Sequence, residues 1–202
     1  AGDVDVQAGS RIDVSSGNGL AGAGAIGILA GGSARLAGEL QGAGPNAGRA
    51  GSFALTADTL GDFSALNRTL NAGGFIRRRS IETLSGDLLH AAGESIEAQQ
   101  LTLVASGGSL TVAGRIAAAG AGGGQVQLAA RDDLTVMGGS EIDARSTAAG
   151  TGSARVVASS VAGDVSLQSG SRIRLDGHAG GEGGELLVRA GATDNDLRVT
   201  DF

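Results

Sequence analysis

The chain carries two histidines, His90 and His178, far apart in sequence, and no cysteine. A zinc centre draws on clustered His and Cys ligands, and Ser-His-Asp catalysis needs a histidine held between nucleophile and carboxylate. Neither has its material here. Asp132 and Asp133 form an acid pair, but adjacent residues of a strand point to opposite faces, so they are poorly placed to act together as the acid and base of glycoside cleavage. In GHAGGEGGELLV, Glu182 and Glu185 stand among glycines as in a calcium-binding glycine-rich repeat. The other loops lack acids, however, and a repeated calcium site needs repeated ligands. Asp194 and Asp196 read as turn formers. No catalytic residue, cofactor or metal site is assigned, and the chain reads as non-enzymatic.

What remains is cationic. Arg77, Arg78 and Arg79 are consecutive, and guanidinium groups match sulfate, carboxylate or phosphate with paired hydrogen bonds. They are the candidate ligand-contacting residues, for sulfated glycans or acidic lipid headgroups. The competing reading places them on a solvated strand or against neighbouring acids. Asn67-Arg68-Thr69 fits the N-glycosylation pattern, and chance accounts for it better than modification does.

Composition limits what could position such residues. Of 202 residues, 38 are Gly and one is Pro; there is no Trp or Tyr, and only four Phe. The core must therefore be built from Val, Leu, Ile and Ala. Glycine without a triplet period excludes collagen, and the aliphatic content opposes disorder. A net charge of −6 argues against nucleic acid, whose phosphates require a basic face. No apolar run approaches the ~20 residues of a membrane span. The opening residues lack the pattern of a signal peptide, so any export signal is expected outside this sequence.

One frame recurs along the chain. DVDVQAGSRIDV from Asp3 and DVSLQSGSRIRL from Asp164 agree at seven of twelve positions. The frame returns at Asp87 and Asp133, in shortened form at Ser33 and Ser109, and more weakly at Asp58 and Asp196, a period of about 28 residues. Each period holds three stretches of alternating apolar residues. The first carries Val4/Val6, Leu36, Leu88, Leu110/Val112, Leu134/Val136 or Val165/Leu167. The second carries Ile12, Ile96, Ile116, Ile142 or Ile173, and the third Ile28, Leu55, Leu103, Val126/Leu128 or Val188. All of these are expected to point inward. His90 falls in the column of Val6, Val136 and Leu167 and is expected at a corner or edge of the core; His178 belongs to a solvated loop.

Three short strands per ~28 residues suit neither a propeller blade nor a leucine-rich repeat. They suit an all-β parallel β-helix, or β-solenoid, of about seven or eight coils rising ~4.8 Å each. Parallel crossovers are right-handed almost without exception, which sets the expected hand.

The phrases GGSLTVAGRI, GGQVQLAARDDLTVMGGSEIDAR and SGDLLHAAGESIEAQQLTLVASGGSLTVAG resemble the degenerate β-helical repeats of filamentous haemagglutinin-like exoproteins, the large bacterial adhesins exported by two-partner secretion. The resemblance covers nearly the whole chain, is strongest from Ser80 to Val188, and is absent from Gly61 to Phe75. It implies a structural or adhesive shaft segment of a secreted, cell-surface exoprotein with a part in adhesion and virulence. The implied partners are an outer-membrane two-partner secretion transporter during export and host-cell or bacterial surface glycans. The alternative is a β-helical polysaccharide-acting enzyme or a calcium-binding module.

The stretch GDFSALNRTLNAGGFIRRRS, residues 61–80, breaks the frame. Phe63, Leu66 and Leu70 are spaced for a short helix laid across a coil. Residues 1–202 thus read as one β-helix segment with a single excursion. Because the frame runs to both termini without a cap, the segment is expected to belong to a longer rod and to associate through its end coils.

Overall fold

The structure, a computed structural model, describes residues 2–17, 21–148 and 153–191. It is an all-β solenoid of about seven turns in which every strand pairing between described residues is parallel. This is the architecture that the repeat predicts.

Three faces run along the axis. The first is an eight-stranded sheet in the order Val4–Val6, Ala25–Leu36, Ser52–Leu60, Arg78–Thr83, Gln100–Ala105, Gln125–Ala130, Arg155–Ser160 and Glu185–Arg189. The second stacks Leu88–His90, Leu110–Val112, Leu134–Val136 and Val165–Leu167, and the third stacks Ser95–Glu97, Arg115–Ala117, Glu141–Asp143 and Arg172–Arg174. Nearer the N-terminus, Arg11–Asp13 pairs with Glu39–Gln41. The long strand Ala25–Leu36 rounds a corner: its first half lies on Ser52–Ala57, while Ala34–Leu36 lies on Val4–Val6.

Pairing follows the repeat frame residue for residue. Leu88, Leu110, Leu134 and Val165 form one column. Ile96, Ile116, Ile142 and Ile173 form another. In the central turns these side chains are fully buried, each contributing roughly 1.5–3 kcal/mol through burial. The end turns differ. Val4, Val6, Ile12 and Val165 are only partly buried, and Leu167 and Val188 are 42% and 39% exposed. Both share columns with buried Val136 and Ala158, yet no described strand stacks beyond them. The weak copy at Asp58 is displaced by one residue: a bulge between Ala30 and Ser33 sets Thr59, rather than Asp58, against Ser33. Asp194 and the copy at Asp196 lie outside the described residues.

The recurrent aspartate closes one corner. Asp87 Oδ1 accepts a hydrogen bond from Ser109 N–H of the next turn at 2.8 Å, and the Asp3–Ser33 and Asp133–Asp164 pairs repeat it at 2.7 and 2.9 Å. The residue before the donating amide is glycine each time. A Cβ on Gly108 would stand 2.6 Å from the Asp87 carboxylate, so the acid reaches the backbone only where a side chain is missing. Where the turn below carries Ser109 in place of aspartate, the equivalent position is Asp132.

A second corner explains the shortened copies. Full copies pass from second to third face through four-residue turns such as Ala91–Glu94, where Gly93 has φ 78°, as a type II turn requires at its third residue. The copies at Ser33 and Ser109 make the same passage through Ala37-Gly38 and Ala113-Gly114 alone.

In the third turn a helix, Phe63–Ala72, takes the place of the second and third strands. Its N-cap, Asp62, accepts from Ala65 N–H at 2.8 Å. Phe63, Leu66 and Leu70 are buried, and the helix packs against Glu39–Gln41, Leu88–His90 and Ser95–Glu97. The spacing of its apolar residues had indicated this element.

Candidate functional site

The arginine triplet is divided by the strand that carries it. Along Arg78–Thr83 the inward positions are Arg79, Ile81 and Thr83, so Arg79 is 1% exposed while Arg77 and Arg78 face solvent. Arg79 occupies an otherwise apolar column between Phe53 and Leu101. Its Nε donates to Phe75 O at 2.7 Å and one terminal nitrogen donates to Asn67 Oδ1 at 3.0 Å. Burial brings its pKa down to about 10, opposed by the charge of Glu97, so the side chain remains cationic at neutral pH. Asn67 in turn donates to Ser95 O at 2.9 Å. Asn71 donates to the same carbonyl at 2.7 Å and accepts from Glu97 N–H at 3.3 Å. The helix thereby satisfies, with side-chain amides, the edge of Ser95–Glu97 that a strand would otherwise cover. Asn67 is 2% exposed, so the glycosylation pattern is sterically closed.

Arg78 stands in an outward row on the first face: Ser52, Arg78, Gln100, Gln125, Arg155 and Glu185, each opposite the next. Arg78 Nε donates to Gln100 Oε1 at 2.7 Å, and Arg155 pairs with Glu185 at 3.0 Å. Between the arginines runs a shallow groove of about 530 Å³, floored by Ser80, Thr102, Gln127 and Val157. Arg78 and Arg155 are three strand steps apart, or roughly 14 Å. This spacing sets two guanidinium groups, one of them paired with Glu185, at the ends of a run that includes amides and hydroxyls, suited to a polar extended ligand. Sequence reading missed Gln100, Gln125, Gln127 and Arg155. Their signal was available: they hold the outward places of the third stretch in successive periods.

The acids are largely engaged. Asp143, with its side chain 3% exposed, receives two hydrogen bonds from the Arg145 guanidinium, at 2.8 and 2.9 Å, and a longer one from its backbone N–H at 3.4 Å, and lies 3.4 Å from Arg115. Hydrogen bonding from Arg145 outweighs burial and holds its pKa below the ordinary carboxylate value. On the same face Arg115, Glu141 and Arg172 alternate in sign in direct register. Asp133 serves the corner described above, whereas Asp132 and Glu182 are exposed. Among the described residues, no group of three or more His, Asp or Glu is placed to hold a metal ion. No described helix is long and apolar enough to cross a membrane.

His90 lies deeper than a corner. It is fully buried in the column continued by Val112, Val136 and Leu167. Its ring meets Phe63 of the helix edge-on, 6.4 Å between centroids. Neither ring nitrogen has a hydrogen-bond partner. Burial lowers its pKa, with Glu94 opposing through its charge and backbone. His178 is exposed on its loop.

The fold and the two arginine environments define a parallel β-solenoid with a polar outer groove. No family model matches the chain, and comparison with curated proteins and with solved structures gives no match either.

Proposed function

We propose that this chain is a structural and adhesive shaft segment of a secreted bacterial surface exoprotein of the filamentous haemagglutinin type, contacting surface glycans through its first face. The observation that carries this reading is the outward row from Arg78 to Arg155. It offers two guanidinium groups and intervening amides on a rigid, flat sheet, without the paired acids that glycoside cleavage uses. Repeat solenoids present binding surfaces in this manner, as extended faces set by stacking. Arg77 flanks the row, and Arg79 serves it only by fixing the turn beneath. In this role the protein is non-catalytic and is carried across the outer membrane by a two-partner secretion transporter.

The test is binding of the 202-residue chain to immobilised sulfated and carboxylated polysaccharides, compared with Arg78→Ala and Arg155→Ala. Loss of binding in both variants, with melting unchanged, supports the reading. Cleavage of any of these polysaccharides by the unaltered chain overturns it in favour of a β-helical enzyme.

A further inference from the structure

We propose that His90 and Glu94 of the fourth turn, with Phe63 and Arg68 of the helix, form an acid-released latch that holds the helix against the solenoid.

The column of His90 is continued by valine in the next two turns. The chain departs from valine in the turn on which the helix packs. A neutral imidazole is tolerated there, although both nitrogens lack partners. An imidazolium is disfavoured, because burial of its charge outweighs what the charge and backbone of Glu94 return. Relief requires the ring to reach water, and the surroundings allow one direction. On one side lie Val112, paired in register, and Gly114, so close that a Cβ there would come within 2.7 Å of the ring carbon Cε1. On the other lies Phe63. The strand is fixed by backbone pairing, whereas the helix is held largely by side chains, so the helix yields first.

Glu94 ties the same two elements together. One carboxylate oxygen pairs with Arg68 of the helix at 2.8 Å, and the other is buried without a partner. The remaining charged groups around the helix are Arg79, tied to it through Asn67; Glu97, whose charge acts on Arg79; Glu39 on the strand Glu39–Gln41; and Asp62 at the helix N-cap. Arg79 remains cationic and disfavours a second positive charge in the same turn. Because burial lowers the folded-state pKa of His90, its contribution is complete above the ordinary histidine value and is lost as pH falls below it. Release uncovers Phe63, Leu66 and Leu70, together with the edges of Glu39–Gln41 and Ser95–Glu97.

Hydrogen exchange on the whole chain from pH 7.5 to 4.5, corrected for intrinsic rates, tests the latch. Amides of residues 63–72 are expected to lose protection on acidification beyond any loss at residues 101–105 and 126–130, by roughly tenfold per unit of pKa difference. His90→Val, which restores the residue of the neighbouring turns, should abolish the additional loss. Parallel behaviour of helix and strands in the unaltered chain overturns the proposal whether or not the variant folds. So does an undiminished difference in folded His90→Val.

Discussion

Asp87 and Ser109, 22 positions apart in sequence, are joined by a hydrogen bond from the backbone N–H of the serine to the carboxylate of the aspartate at 2.8 Å. The same bond joins Asp133 to Asp164. An aspartate at the start of a copy is therefore an instruction about the following copy: it ties down an amide that the corner leaves outside the sheets.

Asp133→Ala should cost about 1–2 kcal/mol, since it removes a charge-assisted bond to a backbone N–H. Asp132→Ala, which removes an exposed carboxylate beside it, should change stability by less than about 0.5 kcal/mol. Urea denaturation of the two variants provides the comparison. Equal midpoints would mean that the corner bond contributes nothing.

Leu134 and Leu167 lie in the two inward columns of the second face, in successive turns, and are 0% and 42% exposed. Leu134→Asp is expected to destabilise by more than about 4 kcal/mol, because it places an unpaired charge in a closed interior. Leu167→Asp should cost about 1 kcal/mol or less. Thermal melts followed by far-ultraviolet circular dichroism would show this ordering, and a Leu134→Asp protein melting with the parent would contradict the register.

Arg79→Ala leaves Asn67 and the Phe75 carbonyl without their donor inside the core and should cost about 3 kcal/mol. Arg79→Met, which keeps the bulk and suits the column of Phe53 and Leu101, should cost substantially less. Arg78→Ala should leave the melting temperature within a degree or two while weakening polyanion binding. Differential scanning calorimetry together with a binding assay separates these buried and exposed roles.

Acid should also act on the third face. Asp143 is held below the ordinary carboxylate pKa by Arg145. Its contribution is therefore present above that ordinary value and disappears as pH falls through the lowered one. Asp143→Asn should be less stable than the parent at pH 7, and the gap should narrow towards pH 2 to 3. A gap independent of pH would show that the charge of Asp143 is not what stabilises the face.

The central columns were legible in the sequence because period-two alternation and the 28-residue frame fix both facing and register. Leu88, Leu110 and Leu134 could be stacked on paper. Arg79 and His90 were harder, since charged and titratable types signal a surface and their partners come from elsewhere: Asn67 and Phe63 belong to the helix. Alternation alone nevertheless aligned Arg79 with Ile81 and Thr83. The groove was not legible because, apart from Arg78, it is lined by ordinary glutamines, small polar and aliphatic residues and the isolated Arg155, which only stacking brings together from successive turns.

The helix interrupts two of the three sheets, so at the third turn the backbone ladder is continuous on the first face alone. Elsewhere a pull along the axis is shared among three hydrogen-bonded rails; here it falls on one rail and a set of side-chain contacts. Extension under load should therefore begin at this level, with the turns before Ser52 separating as a block from those after Arg78. In a solenoid, where each turn answers only to its neighbours, the same discontinuity divides the rod into two cooperative units. Under tension, residues 61–77 are where the solenoid should give.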